Sequence, residues 1–216
     1  MSPKRILFTR PEHDKVTFYL SCWAHELLVQ AKNKGHHIID VGAEKAIKSV
    51  LEEYLIKSNP RLVLLNGHGN REAVGGHKDE LLIIKAQNDH LLAGKIIYAL
   101  SCHSAAELGP SAVASGATAF IGYNAPFCFL TDKNRECTPD NDPLANIFKE
   151  ASNQIGLSLI KGKTVQSAYQ TSQNKFQQLI RKHGSSDSTP EAKEIRFWLF
   201  WDMKSQVAHG EQGATL

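Results

Sequence analysis

The stretch 62–69, LVLLNGHG, decides the class of fold that the sequence predicts. It begins as a continuous apolar run, which is typical of a strand buried on both faces, and Gly67 closes the run. Similar short apolar runs occur at 5–9, 37–41, 96–100 and 118–121. Apolar residues with helical spacing separate these runs, in segments 12–34, 43–57 and 104–115. Strands that alternate with helices predict an α/β fold with a mostly parallel central sheet and helices on both faces.

The second half of the chain has a different pattern. Residues 132–142 are polar and contain Pro139, which predicts a loop, and segment 184–189 is a second loop rich in Gly, Ser and Asp. Helices are expected at 144–160 and 164–182, a helix or strand at 191–201, and a frayed tail from about Val207. We therefore expect one domain over residues 1–216, with a core at about 4–125 and a helical C-terminal part at about 142–205.

Composition and charge exclude several classes of protein. The chain carries 25 Lys and Arg against 22 Asp and Glu, and this net charge of +3 is scattered, so nucleic-acid binding is not indicated. No apolar run reaches the roughly 18–20 residues of a membrane span, and the N-terminus lacks the apolar segment of a signal peptide, so we expect a cytoplasmic protein. The four cysteines are too few and too irregularly spaced for a disulfide framework, and the absence of a CxxC pair argues against a zinc ribbon.

Two chemically reactive residues follow predicted strands. His68 lies in the turn after run 62–65, and Cys102 comes shortly after run 96–100. In open parallel α/β sheets, functional sites form at the carboxyl ends of the strands, and neighbouring strands lie about 5 Å apart. If these two strands are neighbours, the imidazole and the thiol come within reach of each other.

Each residue in this pattern has a chemical reason to be there. A thiol is mostly protonated at neutral pH, and a neighbouring imidazole activates it as a nucleophile. The helix predicted to begin beside Cys102 favours the thiolate through its dipole. The glycines on both sides of His68 permit a sharp turn and a close approach of substrate. The backbone N–H groups of Gly69 and Cys102 are natural donors for an oxyanion hole.

The order Gly-His-Gly after one strand and Ser-Cys after the next resembles the caspase-like cysteine peptidases, and the resemblance covers residues 5–123. That group includes caspases, metacaspases, gingipain-type peptidases, separase and CHAT-domain proteins. The segments ALSCHS at 99–104 and GATAFIGY at 116–123 look most like the bacterial CHAT-domain branch. The family's catalytic histidine then corresponds to His68 and its nucleophile to Cys102.

The resemblance implies a fold and an activity. The fold is the caspase-like three-layer sandwich, and the activity is hydrolysis of peptide bonds in a specific protein substrate by a Cys102–His68 dyad, without a cofactor or metal. Bacterial members of this branch often act as effectors in defence or regulated cell death and are held inactive until triggered. A regulatory or activating protein partner is therefore implied, and the polar loop 131–142 is the expected activation or specificity segment.

The substrate pocket departs from the metacaspase pattern. Metacaspases carry an Asp two residues before the nucleophile, where it helps to bind a basic P1 side chain, whereas this chain has Leu100 there. Asp40 and Asp132 are the alternative candidates for a pocket that accepts a basic side chain. Segment 124–132 is the expected wall of the pocket.

Other interpretations stay open at this point. The same fold could serve as a protein-binding scaffold in which the Cys–His pair is incidental. A metal site could form from His68, His77, Cys102 and His103. A nucleotide-binding or flavodoxin-like domain is disfavoured, because the chain has no P-loop and no GxGxxG after a strand.

Overall fold

The computed structural model of the protein describes residues 2–184 and 189–216. Most of the loop predicted at 184–189 lies outside these residues. In chain order the elements are β1 (Arg5–Arg10), α1 (Lys15–Asn33), β2 (His37–Gly42), α2 (Lys48–Lys57), β3 (Leu62–Asn66), β4 (Ala73–Gly75), β5 (Leu81–Ile84), β6 (Ile96–Leu100), α3 (Leu108–Ala114), β7 (Ala119–Tyr123), α4 (Pro143–Ile160), α5 (Val165–Lys182), α6 (Pro190–Ser205) and β8 (Gln206–Gly210).

The central sheet has the strand order β2-β1-β3-β6-β7-β8. The first five strands in this order run parallel to one another, and β8 pairs antiparallel with β7 at the edge. The short strands β4 and β5 form a separate antiparallel hairpin. The predicted α/β class, with a mostly parallel central sheet flanked by helices, is therefore confirmed.

Alternation along β3 explains why both faces of the sheet are covered. Leu62 and Leu64 belong to one apolar cluster, together with residues of α1, α4 and α5. Val63 and Leu65 point the other way and belong to a second cluster with residues of α2 and α3. All four side chains are at most 1% exposed, so the continuous apolar run in the sequence reflects burial on two faces.

Two features of the chain differ from the sequence-based expectation. Helix α3 begins at Leu108, not near residue 104, and turns occupy 102–107 because His103 adopts a left-handed backbone with φ 58°. The tail expected to fray from about Val207 instead forms β8, in which residues 206–210 pair with β7. Most of β8 is half-exposed, so it lacks the continuous apolar run by which the buried strands were recognised.

A buried carboxylate connects α4 to α1 and to the predicted polar loop. Asp142 is fully buried and caps α4, with its Oδ1 accepting from the backbone N–H groups of Leu144 and Ala145. Its Oδ2 accepts from the Tyr19 hydroxyl at 2.7 Å and from the Asp132 backbone N–H at 2.9 Å. This single side chain therefore fixes the end of loop 131–142 against α1.

Replacing Asp142 with Ala is expected to lower the free energy of unfolding by about 3 kcal/mol, because the cap is lost and the Tyr19 hydroxyl is left buried without its acceptor. Asp142→Asn is the matched control and should cost less, since its amide oxygen can still cap α4. Urea denaturation followed by circular dichroism measures both losses. Equal losses for the two variants would contradict this account of the side chain.

Candidate active site

The pairing of β3 with β6 brings the two predicted reactive residues to one edge of the sheet. Asn66 and Leu100, the last residues of these parallel strands, are register partners. The chain beyond each strand therefore leaves the sheet side by side, and His68 and Cys102 line the same small cleft. Placement at neighbouring strand ends is the arrangement that the sequence predicted for this pair.

The backbone of His68 is held from two sides. Its carbonyl oxygen accepts from the Gly75 backbone N–H at 2.8 Å and from the Ser101 hydroxyl at 2.9 Å. The turn before it requires glycine, because Gly67 has φ 146° and a Cβ there would collide with the carbonyl oxygen of Gly75. The hairpin β4–β5 and the turn after β6 thus fix the position of His68 together.

Asp14 orients the His68 ring, and sequence analysis did not select it. The Asp14 Oδ2 atom lies 2.6 Å from His68 Nε2. The other oxygen, Oδ1, accepts from the Thr17 backbone N–H at 2.8 Å and from its hydroxyl at 2.9 Å, which makes Asp14 the N-cap of α1. A carboxylate only accepts hydrogen bonds, so the Nε2 proton stays in place and Nδ1 of the neutral ring keeps its lone pair.

Asp14 is ionised at neutral pH. Burial acts to raise the pKa of its carboxyl, but the hydrogen bonds from Thr17 and His68 outweigh burial and bring the pKa down to about 2. Its side chain is 40% exposed. The ionised carboxylate can therefore stabilise a positive charge on His68.

Cys102 lies on a tight turn, not at a helix N-terminus. Because α3 begins only at Leu108, the expected lowering of the thiol pKa by a helix dipole does not apply. Burial instead raises the pKa of Cys102, and its Sγ lies 3.8 Å from the carbonyl oxygen of Phe127. The resting side chain is thus a neutral thiol that needs a base.

The two predicted oxyanion donors lie close together at this turn. A Cβ on Gly69 would collide with the Ser101 hydroxyl and approach the Cys102 carbonyl oxygen, so only glycine fits there. Gly69 forms an isolated bridge with Val74, in which the hydrogen bonds are made by the residues on either side of Gly69. Within residues 2–184 and 189–216, the backbone N–H groups of Gly69 and Cys102 donate no hydrogen bond to the backbone of another residue.

The cleft beside Cys102 is small and mostly apolar. Its lining residues are Val16, Leu20, Gly67, His68, Leu100, Ser101, Cys102, Phe127 and Phe129. Its free volume is about 20 Å³, little more than one water molecule needs. Two of the lining residues, Phe127 and Phe129, belong to segment 124–132, where the sequence placed the pocket wall. The lining residues of α1 or of segment 124–132 must therefore shift for a substrate side chain to enter.

The three predicted pocket residues have different positions. Leu100 lines the cleft. Asp40 pairs with Arg10 through both of its oxygens, at 2.9 and 2.7 Å, and Asp132 turns its Oδ1 toward the backbone of Asn134. Among the residues that the structure describes, no carboxylate lines the cleft.

The other predicted histidines lie away from the cleft. His103 is the left-handed residue of the turn after Cys102, and its backbone N–H donates to the carbonyl oxygen of Ala125. His77 stacks edge-on against His13, with ring centroids 5.7 Å apart. The metal set proposed from His68, His77, Cys102 and His103 is not brought together in the described part of the chain.

A different set of potential metal ligands converges instead. Ligand atoms of His13, Asp14 and His68 all lie within 4.8 Å of one another. His13 and Asp14 follow β1, which is the other neighbour of β3 in the sheet. The sequence carries one signal for Asp14, since an Asp that caps the helix after a buried strand lies at the carboxyl edge of the sheet.

The strand order and these contacts define an α/β protein whose sheet presents a cysteine, a histidine and an aspartate at the carboxyl ends of three adjacent strands. No protein-family model matches the chain, and no curated protein is significantly similar to it. Over the residues that the structure describes, no helix combines the length and the apolar character needed to cross a membrane.

Proposed function

We propose that the protein is a cysteine endopeptidase with Cys102 as nucleophile, His68 as general base and Asp14 as the residue that positions His68. The observation that carries the proposal is the 2.6 Å contact between Asp14 and His68 beside a cleft that His68 shares with Cys102. A histidine held by a carboxylate in the same cleft as a thiol supplies the groups that nucleophilic catalysis uses.

The acylation step follows from the tautomer that Asp14 selects. As Cys102 Sγ bonds to the scissile carbonyl carbon, His68 Nδ1 takes the thiol proton, and the amides of Gly69 and Cys102 bind the oxyanion. The tetrahedral intermediate then collapses. The C–N bond breaks, and the imidazolium of His68 returns the proton to the leaving amine, which leaves an acyl-enzyme on Cys102.

Deacylation repeats the same transfers with water. His68 removes a proton from the water molecule as its oxygen bonds to the thioester carbon. The C–S bond then breaks, the thiol of Cys102 recovers its proton from His68, and a carboxylic acid leaves. No metal or cofactor takes part in either step.

The resemblance to caspase-like peptidases of the CHAT-domain branch supports this reaction through the order of His68 and Cys102 along the chain. On that basis the substrate is a specific protein, and the biological role is that of a cytoplasmic bacterial effector in defence or regulated cell death under the control of a partner protein.

The apolar lining of the cleft favours an uncharged P1 residue. Leu100, Phe127 and Phe129 offer no partner to a charged group, and burying an unpaired charge is costly. The proposed pocket therefore does not favour a basic P1 residue, for which Asp40 and Asp132 were the candidate partners.

Labelling with a substrate-like electrophile tests the proposal. A peptidyl acyloxymethyl ketone with Leu at P1 should alkylate Cys102, and His68→Ala should slow this labelling about 100-fold or more, since the neutral thiol loses its base. The same reagent with Lys at P1 should react at least about tenfold more slowly. Mass spectrometry of the digested protein identifies and quantifies the labelled cysteine.

Cys137 provides the internal control, because it is an exposed free thiol. Its alkylation by iodoacetamide should be the same in the wild type and in His68→Ala. If the ketone labels Cys102 no faster than Cys22 or Cys128 and is indifferent to His68, the Cys–His pair is incidental and the scaffold interpretation replaces the peptidase.

A further inference from the structure

The loop between β1 and α1 carries a histidine that the proposed reaction does not use. His13 is 11% exposed, and among the described residues neither of its ring nitrogens has a hydrogen-bond partner. An imidazole with both nitrogens buried and unsatisfied is costly. A ligand that bonds to one of these nitrogens would remove part of this cost.

The neighbours of His13 are the ligand types that zinc prefers. His13 Nε2 lies 3.8 Å from Asp14 Oδ2, which in turn contacts His68 Nε2 at 2.6 Å. Asp79 Oδ1 lies 3.4 Å from His13 Nε2 on the other side. Two imidazole nitrogens with a carboxylate oxygen favour Zn²⁺ over Mg²⁺ or Ca²⁺, which take oxygen ligands.

The distances suit a tetrahedral ion after small adjustments. Zinc bonds of about 2.0–2.1 Å place tetrahedral ligand atoms about 3.4 Å apart. The three ligand atoms of His13, Asp14 and His68 already lie within 4.8 Å of one another. Asp79, whose side chain is 65% exposed, can turn toward the fourth position, which otherwise takes a water molecule.

We propose that His13, Asp14 and His68 form an inhibitory Zn²⁺ site in which the ion displaces the Asp14–His68 hydrogen bond. Zinc bonds to Nε2 of His68 in place of its proton, and the neutral ring then carries its one proton on Nδ1. That nitrogen can no longer accept the proton of Cys102. The ion also neutralises Asp14, so both groups that activate the thiol are occupied by the metal.

The inhibitory consequence rests on the proposed peptidase function, whereas zinc binding does not. Binding is measured on the full-length, metal-free protein by competition for Zn²⁺ with a chromogenic chelator. His13→Gln should weaken zinc binding about tenfold or more, because one of three protein ligands is lost. His25→Gln is the matched control, since His25 is exposed on α1, and it should bind zinc as the wild type does.

Two further variants separate this site from other ways of binding zinc. Asp14→Asn should also weaken binding, which keeps the test valid if His13→Gln folds poorly. Cys102→Ala should bind zinc with unchanged affinity. If Cys102→Ala abolishes binding, or if His13→Gln and Asp14→Asn both bind as the wild type does, the site lies elsewhere and the proposal is overturned; the absence of any zinc binding also overturns it.

A second measurement addresses inhibition. Zinc should lower the rate of cleavage of a pooled fluorogenic peptide library, and His13→Gln should need about tenfold more zinc for the same fractional loss relative to its own zinc-free rate. A protein that binds zinc but cleaves no peptide refutes the peptidase and leaves the metal site. A peptidase that zinc does not inhibit keeps the function and refutes the inhibitory site.

Discussion

Cys102→Ala is expected to lower kcat/KM for cleavage of a fluorogenic peptide library by at least about 10⁴-fold, because no other group in the cleft can form the acyl-enzyme. Ser101, the nearest hydroxyl along the chain, donates to the carbonyl oxygen of His68 and is not free to replace the thiol. The fold should persist, since the change removes one sulfur atom from a residue that is not fully buried.

Cys22→Ala is the matched control for Cys102→Ala. Cys22 is also a partly exposed free thiol, and burial is the main cause that raises its pKa to about 11, yet it lies within α1 and does not line the cleft. Its replacement should leave the cleavage rate within about twofold of the wild type. If cleavage of the library survives in Cys102→Ala but disappears in Cys22→Ala, Cys102 is not the nucleophile.

The positions of His68 and Cys102 could be predicted because each follows a continuous apolar strand. The continuous apolar sequences of β3 and β6 indicate burial on both faces, and functional groups in such sheets lie at the strand ends. Chain order also made the two strands plausible neighbours, although a hairpin intervenes between them. The register pairing of Asn66 with Leu100 shows that β3 and β6 are neighbours. From the sequence alone this could only be assumed.

The details around Cys102 could not be predicted in the same way. A run of small residues after position 103 has helical propensity, but the left-handed backbone of His103 (φ 58°) delays α3 to Leu108. Glycine is the common signal of that conformation in a sequence, whereas Asn, Asp and His adopt it only in a minority of cases. The predicted dipole effect on the thiol is absent for this reason, and in the proposed mechanism the activation of Cys102 rests on His68 alone.

Asp14 was missed because its importance depends on strand order. Its local signal is that of an ordinary helix cap, and nothing near it in the chain suggests catalysis. It meets His68 only because β1, and not a later strand, is the second neighbour of β3. A single sequence does not reveal which strands are adjacent, so a residue 54 positions away could not be assigned to the site.

Asp14→Asn is expected to lower kcat about 10³-fold with little change in KM. The asparagine amide can donate to His68 Nε2 and thereby favour the tautomer with its proton on Nδ1, which cannot accept the proton of Cys102. The loss should be somewhat below the roughly 10⁴-fold known for a buried triad aspartate, because the Asp14 side chain is 40% exposed and water can partly replace its carboxylate.

Asparagine is also a good N-cap, so the substitution separates catalysis from the stability of α1. The free energy of unfolding of Asp14→Asn should stay within about 1 kcal/mol of the wild type. Thr17→Val is the matched control for the cap: it removes the hydroxyl that donates to Asp14 Oδ1 but leaves the carboxylate on His68, and it should reduce kcat less than about tenfold.

The decisive comparison uses variants that lack the proposed base, His68. If Asp14 acts only through His68, the double variant Asp14→Asn/His68→Ala should be no slower than His68→Ala alone, because a positioning residue has no effect once the ring that it positions is gone. Additive losses would mean that Asp14 contacts the substrate directly. An Asp14→Asn enzyme with wild-type kcat would show that the 2.6 Å contact with His68 belongs to the helix cap alone.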